Sequence, residues 1–456
     1  MAIAERTEER RPSVRQRAGA IAARALPLPL ALLLPLLIFS SFLTASKFIP
    51  GIRNNAGPFE VVAAILILAF LLYYRKPRLR LRGHPIISVV GLMFAAAALS
   101  QLNVPPAQAR MGLIQTVILL FLLAFLFALY NLVLHYGVQP ARILRWITYA
   151  VLVVGPWVMI EGMQAEADIQ AAGPFRNRAH MASYMLTAFW LVMLFALWPH
   201  RVRRDRWFGH GALILTLYAI SVSGRRSVYL ALFVGLATLA VGWLAANRGR
   251  RLAALRTAAV AVGFLAFFYT SGALFSSRAE FFQERVSLIG HRLEQALAAN
   301  PNERSEEDSF FLLQRQGVRQ AFYEHPILGI GWGAFAKSRY SPTGHEVHST
   351  PLRFVAELGL TGICLYATLM VLLLAGSVRL FVAMRRTPYG ATYLALMVAL
   401  WSLSLSYLYN RHITERTFWL LLLVYLVLEA FAGAWKRRAG PTPRVAAARA
   451  PVAVRA

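Results

Sequence analysis

Four arginines and one histidine in this sequence have residue types and spacings that suit chemistry on a diphosphate. Arg176 and Arg178 lie in Gly-Pro-Phe-Arg-Asn-Arg, and Arg225 and Arg226 are adjacent in Ser-Gly-Arg-Arg-Ser. A guanidinium group stays charged under physiological conditions, and its planar fork of donors matches phosphate oxygens. The imidazole of His348 has an ordinary pKa of about 6.5 and can accept a proton near neutral pH. The simpler alternatives are that the arginines contact lipid headgroups and that the histidine is incidental.

A helix is expected to begin directly after this histidine. Proline is favoured at the first helical position, so Pro351 predicts the helix start, and Ser349 or Thr350 can cap the free N–H groups. The N-terminus of a helix has a partial positive charge and attracts anions. Arg353 and Glu357 are four residues apart on the same helix, and we expect them to neutralise each other.

Further candidate contacts lie in the segment before the histidine. Lys337 and Arg339 could hold phosphate groups of a second substrate, although solvated surface charges explain them equally well. The run Gly329-Ile330-Gly331-Trp332-Gly333 could cradle a phosphate, but a turn after a helix needs the same residues. This glycine run is therefore weak evidence for a ligand.

The elements that position these residues are membrane-spanning helices. The chain has 456 residues, of which 58% are hydrophobic and 15% are charged, and its mean hydropathy is +0.53. Such a composition excludes an ordinary soluble enzyme and is typical of a polytopic all-α membrane protein. The net charge of +28 indicates cytoplasmic loops and contact with anionic membrane lipids rather than nucleic acid. The single cysteine, Cys364, excludes a disulfide or a cysteine metal site within one chain.

Twelve apolar stretches predict about twelve transmembrane helices. They lie roughly at 26–45, 59–74, 86–101, 111–135, 143–163, 181–199, 207–223, 227–246, 255–275, 352–378, 391–409 and 417–435. The loops on the side of both termini carry most of the arginines, so this side is expected to be cytoplasmic.

This orientation divides the chain into five parts. A basic cytoplasmic segment (1–25) precedes nine spans (26–272), an outer helical segment (273–351), three further spans (352–435) and a disordered basic tail (436–456). The two arginine pairs and the histidine then lie on the outer side, where charge near the membrane surface usually has a function or an ion partner.

The outer segment is expected to contain one amphipathic helix. Ser305-Glu306-Glu307-Asp308 has the pattern of a capping box and predicts a helix that ends before Pro326. Phe311, Val318 and Phe322 have helical spacing, which predicts an apolar face packed on the membrane-spanning part. The acidic cluster could be a metal site, but helix capping explains it more simply.

Several of these stretches resemble signatures of the bacterial O-antigen ligases. His348-Ser349, followed after nine residues by Gly359-Leu360-Thr361-Gly362, resembles the His-[Asn/Ser/Gln]-x9-Gly-x-x-Gly signature of that family. The stretch from His325 to Gly331 resembles the preceding part of the wider ligase and O-antigen polymerase family. Ser223 to Ser227 resembles its Ser-Arg-Gly-type turn, and Phe175 to His180 is loosely similar to an earlier outer loop. The similarity runs from about residue 170 to 365.

The resemblance implies a glycosyltransferase of the bacterial inner membrane with a GT-C-like fold and an active site that faces the periplasm. Such ligases move a polysaccharide from undecaprenyl diphosphate onto lipid A–core without a metal, ATP or another cofactor. By this resemblance His348 is the base, the four arginines bind the donor diphosphate, and Ser349, Gly359 and Gly362 belong to the motif. The sequence offers no suitable carboxylate nucleophile in the first outer loop, so we expect a single displacement with inversion.

Three other functions remain open at this point. An O-antigen polymerase joins repeat units on the same carrier and shares the surrounding pattern, and an enzyme of lipid-linked protein glycosylation belongs to the same superfamily. A transporter of lipid-linked sugars would also have about twelve spans and outer basic residues, but it would form no glycosidic bond.

Overall fold

The computed structural model of the chain describes residues 28–43, 57–74, 83–164, 174–175, 178–199, 202–223, 225–246, 263, 306–342, 344–409 and 415–439. Within these ranges the regular secondary structure is helical, and no β-strand occurs in them. The described part of the chain therefore has the all-α architecture that the composition predicts.

Twelve α-helices lie within the described ranges. They are α1 (Leu28–Ser40), α2 (Pro58–Tyr74), α3 (Pro85–Ser100), α4 (Pro106–His135), α5 (Pro140–Gln164), α6 (Arg178–Ala196), α7 (Arg203–Ser223), α8 (Arg226–Ala246), α9 (Glu306–Glu324), α10 (Thr350–Met384), α11 (Gly390–Tyr407) and α12 (Arg416–Ala439). Short 3₁₀ helices follow α3 at Gln101–Asn103 and precede α10 at Phe335–Lys337. Proline begins α2 to α5, as its fixed φ and missing N–H favour.

Seven helices in the described ranges are long and apolar enough to cross a membrane, judged by length and composition. These segments are Pro85–Asn103, Gln108–His135, Pro140–Glu161, Ser227–Leu244, Thr350–Met384, Gly390–Tyr407 and Arg416–Arg437. Three shorter apolar helices cover Ala31–Ser40, Pro58–Leu72 and His180–Ala196. The protein is thus a multi-pass membrane protein.

The predicted apolar stretches agree with the described helices at eleven positions. The ninth stretch, at 255–275, lies outside the described residues except for residue 263. The seventh corresponds to α7, which begins with the charged run Arg203 to Arg206. This helix is neither among the seven candidate spans nor among the three shorter apolar helices. The third, although short, is one of the seven.

Two polar contacts join the starts of helices that are far apart in the sequence. Arg145 near the start of α5 bonds to Asp205 at the start of α7 (2.6 Å). Arg416 at the start of α12 donates two hydrogen bonds of 2.8 Å to Glu60 at the start of α2. Within each pair the two helices therefore begin at the same end, which agrees with the alternation of the predicted spans.

Candidate functional site

His348 lies directly before α10 in a segment that connects α9 to this helix. Its ring is half-buried, and its Nδ1 is 3.1 Å from the backbone oxygen of Glu346. Its backbone N–H donates to the side-chain oxygen of Gln314 on α9 (3.4 Å). The histidine is therefore fixed by hydrogen bonds at both its backbone and its ring.

The electrostatic surroundings of His348 favour the neutral imidazole. Burial lowers the pKa of His348 below its ordinary value of 6.5, and the positive charge of Arg225 and the neighbouring His345 lower it further. The Arg225 guanidinium thus lies close enough to act on the ring. A neutral imidazole can accept a proton at neutral pH.

Arg225 is the arginine of the two predicted pairs whose side chain the structure describes, and its charge acts on the histidine ring. It lies in the link between α7 and α8 and is exposed. Arg226 and Arg178 are the first residues of α8 and α6, but their side chains lie outside the described residues. Arg176 lies outside them altogether.

The start of α10 agrees with the sequence prediction except for its cap. The helix begins at Thr350, with Ser349 in the N-cap position and Pro351 in the first turn. The Ser349 side chain makes no capping hydrogen bond, so the prediction that it could cap the free N–H groups is not fulfilled. Arg353 instead donates its backbone N–H to the carbonyl of Ser349 (2.9 Å).

A bend at Gly359 divides α10 into a short first part and a long second part. Gly359 has φ +62° and ψ −148°, a conformation that is essentially restricted to glycine. Gly362 lies one turn further on, where an added Cβ would collide with the side chain of Leu358. The two motif glycines therefore shape the helix at this point and need not contact a ligand.

The segment after α9 pairs with the backbone of α10 on both sides of the bend. Ile330 and Gly331 donate their N–H groups to the carbonyls of Ala356 and Glu357 (3.1 Å each). Leu360 donates its N–H to Pro326 (2.7 Å). The resulting contact brings together the two stretches, His325 to Gly331 and His348 to Gly362, that resemble the family signature.

Arg353 and Glu357 form the predicted pair in the first part of α10. Arg353 Nε donates to Glu357 Oε2 (2.8 Å), and both side chains are at most 1% exposed. The guanidinium stacks over the ring of Trp332 at 4.3 Å, and the backbone N–H of Gly333 also donates to Glu357 (2.9 Å). The pair therefore connects the glycine run, Gly329 to Gly333, to α10. This contact gives the glycine run a structural role.

Lys337 and Arg339 are exposed at the surface of the same segment. The Arg339 side chain bonds to Glu324 at the end of α9, and the Tyr340 hydroxyl donates to the same carboxylate (2.6 Å). The hydrogen bond from Tyr340 is the main reason why the pKa of Glu324 is lowered. Arg339 thus has an internal ion partner, while its proposed phosphate contact stays a prediction.

The helix predicted before Pro326 is observed as α9. Val318 and Ala321 are buried and pack with Phe335, Val347 and Ala356 in a small apolar cluster. Phe322 is half-buried, and the side chain of Phe311 lies outside the described residues. Within the described ranges no group of three or more His, Cys, Asp or Glu side chains is arranged to hold a metal ion.

Sequence reasoning missed the polar residues that hold the segment in place. Gln314 is 3% exposed and bonds to the backbone at both Glu346 and His348. At the end of α3, the side chains of Gln101 and Asn103 donate to the carbonyls of Trp332 (3.2 Å) and Gly329 (2.8 Å). No sequence signal identifies these amides, since their partners are backbone atoms far away along the chain.

Comparison with protein-family models gives a match over the part of the chain that contains His348. Residues 211–367 match the family model described as O-Antigen ligase. The match covers Arg225, Arg226, α9, His348 and the bend of α10, but it excludes Arg176 and Arg178. A search among curated proteins gives no match. Residues 211–367, which contain His348, Arg225 and the two paired glycine segments, are therefore similar to the O-antigen ligases, and this match supports an O-antigen ligase family member.

Proposed function

We propose that the protein transfers O-antigen polysaccharide from undecaprenyl diphosphate to the lipid A–core oligosaccharide. The observation that carries this proposal is that His348 and Arg225, whose positive charge acts on the imidazole, both lie within the matched residues 211–367. One side chain can bind the anionic leaving group, and the other can remove a proton from the attacking hydroxyl.

The reaction is a displacement at the anomeric carbon of the donor sugar. An acceptor hydroxyl forms the new C–O bond, its proton passes to His348 Nε2, and the bond between the sugar and the diphosphate breaks. Arg225 stabilises the charge that develops on the departing diphosphate, and we assign Arg226, Arg176 and Arg178 to the same task. Because the diphosphate is already an activated leaving group, the step needs no nucleotide, and we assign the stabilisation of its charge to arginines rather than to a metal ion.

Inversion at the anomeric carbon fits the carboxylates that surround His348. A retaining enzyme needs a carboxylate nucleophile that can reach the sugar. Glu357 is fully buried and bonded to Arg353, and Glu346 has an Arg353 nitrogen at 3.9 Å. We therefore propose a single displacement, and comparison of the anomeric configuration of product and donor tests it.

The proposed membrane setting is the one that both lipid substrates need. The chain would cross the inner membrane twelve times as a GT-C-like enzyme, with both termini in the cytoplasm and His348 facing the periplasm. The polyprenyl donor and lipid A would remain in the bilayer while their sugars meet at the end of the bundle that contains His348 and Arg225. Labelling of substituted cysteines from the periplasm tests this orientation.

The decisive experiment is transfer by the purified protein, given undecaprenyl diphosphate-linked polysaccharide and lipid A–core. We expect His348→Ala to lower the rate by about 10²–10⁴-fold, the usual contribution of a general base. His345→Ala, in the same segment but exposed, is the matched control and should retain activity. A wild-type rate in folded His348→Ala protein would refute the base assignment.

The same assay separates the other candidate functions. Elongation of the donor without use of lipid A–core would identify an O-antigen polymerase, and transfer to a polypeptide acceptor would identify a protein glycosylation enzyme. Binding of the donor with no new glycosidic bond would indicate a transporter. A chelator in parallel reactions tests whether transfer is independent of metal ions.

A further inference from the structure

Gln314 is a buried amide that bonds to the backbone on both sides of residue 347. Its Nε2 donates to the carbonyl of Glu346 (3.0 Å), and its Oε1 accepts from the N–H of His348 (3.4 Å). This pattern reproduces the two hydrogen bonds that a neighbouring β-strand would make with residues 346 and 348. The side chain therefore fixes the segment directly before α10 in one position relative to α9.

The carbonyl that Gln314 holds also determines the protonation of the histidine ring. His348 Nδ1 lies 3.1 Å from the oxygen of Glu346. A carbonyl oxygen can only accept, so the hydrogen bond exists only when Nδ1 carries the proton. The neutral ring then has its lone pair on Nε2, the nitrogen that can act as a base.

Packing alone does not require a glutamine at this position. Val318, Ala321 and Val347 already form an apolar contact between α9 and the segment. A buried amide is costly unless both its donor and its acceptor are bonded, and an apolar side chain such as methionine avoids this cost. The amide therefore orients the Glu346 carbonyl and the His348 N–H through its two hydrogen bonds. An apolar side chain of similar size cannot do this.

We propose that Gln314 is a positioning residue: it fixes the carbonyl of Glu346, which holds His348 in the tautomer whose Nε2 accepts the proton of the acceptor hydroxyl. This inference rests on the proposed function, because it gives the histidine the role of base. It adds a residue of α9, 34 positions before the histidine, to the machinery of the reaction.

Loss of the amide should change the titration of the ring as well as the rate. Among the described residues, Arg225 from the link between α7 and α8 and His345 from the same segment act on the charge of the His348 ring. Glu346, also in this segment, has an Arg353 nitrogen of α10 at 3.9 Å. Burial is the main reason why the pKa of His348 is lowered. A segment released from α9 exposes the ring more, and its pKa then rises towards 6.5.

The test compares Gln314→Met with Gln316→Met, an exposed glutamine on the same helix. We expect Gln314→Met to lower kcat about 10- to 100-fold by misplacing the base, without changing KM for the lipid-linked donor. In the His348→Ala background the same substitution should lower the residual rate less than about twofold, because the base is already absent. Gln316→Met should match the wild type in both backgrounds.

A second measurement follows the imidazole directly. Diethyl pyrocarbonate modifies neutral histidine, so the extent of modification of the His348 peptide, measured by mass spectrometry across a pH series, gives its titration midpoint. We expect the midpoint to rise in Gln314→Met and to stay unchanged in Gln316→Met. This measurement needs no turnover and therefore reports on Gln314 even if the proposed reaction is wrong.

The outcomes separate the two proposals. An equal loss of rate in both backgrounds, or an unmoved midpoint, would overturn the positioning role of Gln314 while leaving the proposed function intact. A raised midpoint in Gln314→Met, together with a wild-type rate in His348→Ala, would support the positioning of the ring and remove its role as the base.

Discussion

A single added methyl group at Gly359 should disrupt the region that carries the histidine. Gly359 lies in the bend of α10 with φ +62° and ψ −148°. A Cβ at this position would lie 2.5 Å from the carbonyl oxygen of Pro326 and 2.8 Å from the carbonyl carbon of Ile327. Gly359→Ala therefore combines backbone strain with a collision against the segment that pairs with α10.

The expected cost follows from these two effects. An alanine forced into this conformation costs of order 1–3 kcal/mol. Restoring an ordinary contact distance of 3.4 Å to Pro326 requires a movement of about 0.9 Å, which would break the 2.7 Å hydrogen bond from Leu360 to Pro326 and the 3.2 Å bond from Thr361 to Ile327. Each such bond contributes roughly 1 kcal/mol, so the total loss is about 3–5 kcal/mol.

The assay is thermal unfolding of the purified protein in detergent, combined with the transfer reaction. We expect the unfolding temperature of Gly359→Ala to fall by several degrees and the transfer rate to fall with it, since His348 and Arg353 lie in the displaced region. Gly91→Ala on α3 is the matched control, because a Cβ there meets no atom within 4 Å and a helical alanine is favourable. An unfolding temperature for Gly359→Ala equal to that of the control would refute the described bend.

Three further outcomes follow from the described contacts. Since the pKa of His348 lies below 6.5 and transfer needs the neutral ring, the rate should stay constant around neutral pH and fall only as the pH drops below 6.5. A pH profile of the transfer rate with a midpoint above 6.5 would contradict this prediction. Glu346→Gln keeps the backbone carbonyl and should retain at least about a third of the rate, whereas a loss of several orders of magnitude would indicate a carboxylate nucleophile. Arg353→Met leaves Glu357 buried without its partner and should lower the free energy of unfolding by about 3–5 kcal/mol, measured by denaturant or thermal unfolding, whereas the exposed Arg339→Met should leave it unchanged.

The helices could be predicted from the sequence because lipid imposes a simple requirement on each of them. A spanning segment must satisfy its own backbone hydrogen bonds and present an apolar surface, so its length and composition identify it without knowledge of its neighbours. The pair of Arg353 and Glu357 could be predicted for a similar reason, since residues four apart face each other on any helix. Both inferences need only contiguous sequence.

The bend of α10 and its pairing with the preceding segment could not be predicted in the same way. The sequence indicates an uninterrupted apolar helix after Pro351, and glycines are common inside such helices. The conformation of Gly359 becomes necessary only when the backbone from Pro326 to Gly331 lies against it, and that approach depends on where α9 ends. A tertiary contact therefore decides a local backbone angle.

The distance between Arg225 and His348 likewise depends on tertiary contacts and not on contiguous sequence. Arg225 and His348 are recognisable in the sequence because each has a chemistry that few other residues share, yet neither carries information about its distance from the other. That distance depends on two separate supports: the link between α7 and α8 carries the arginine, whereas α9 and the first part of α10 hold the histidine. A base and a cation held by separate elements can keep their geometry only if each support is rigid. The backbone pairing across Gly359 and the amide of Gln314 supply this rigidity on the histidine side, so substitutions there should affect the rate through the position of the histidine.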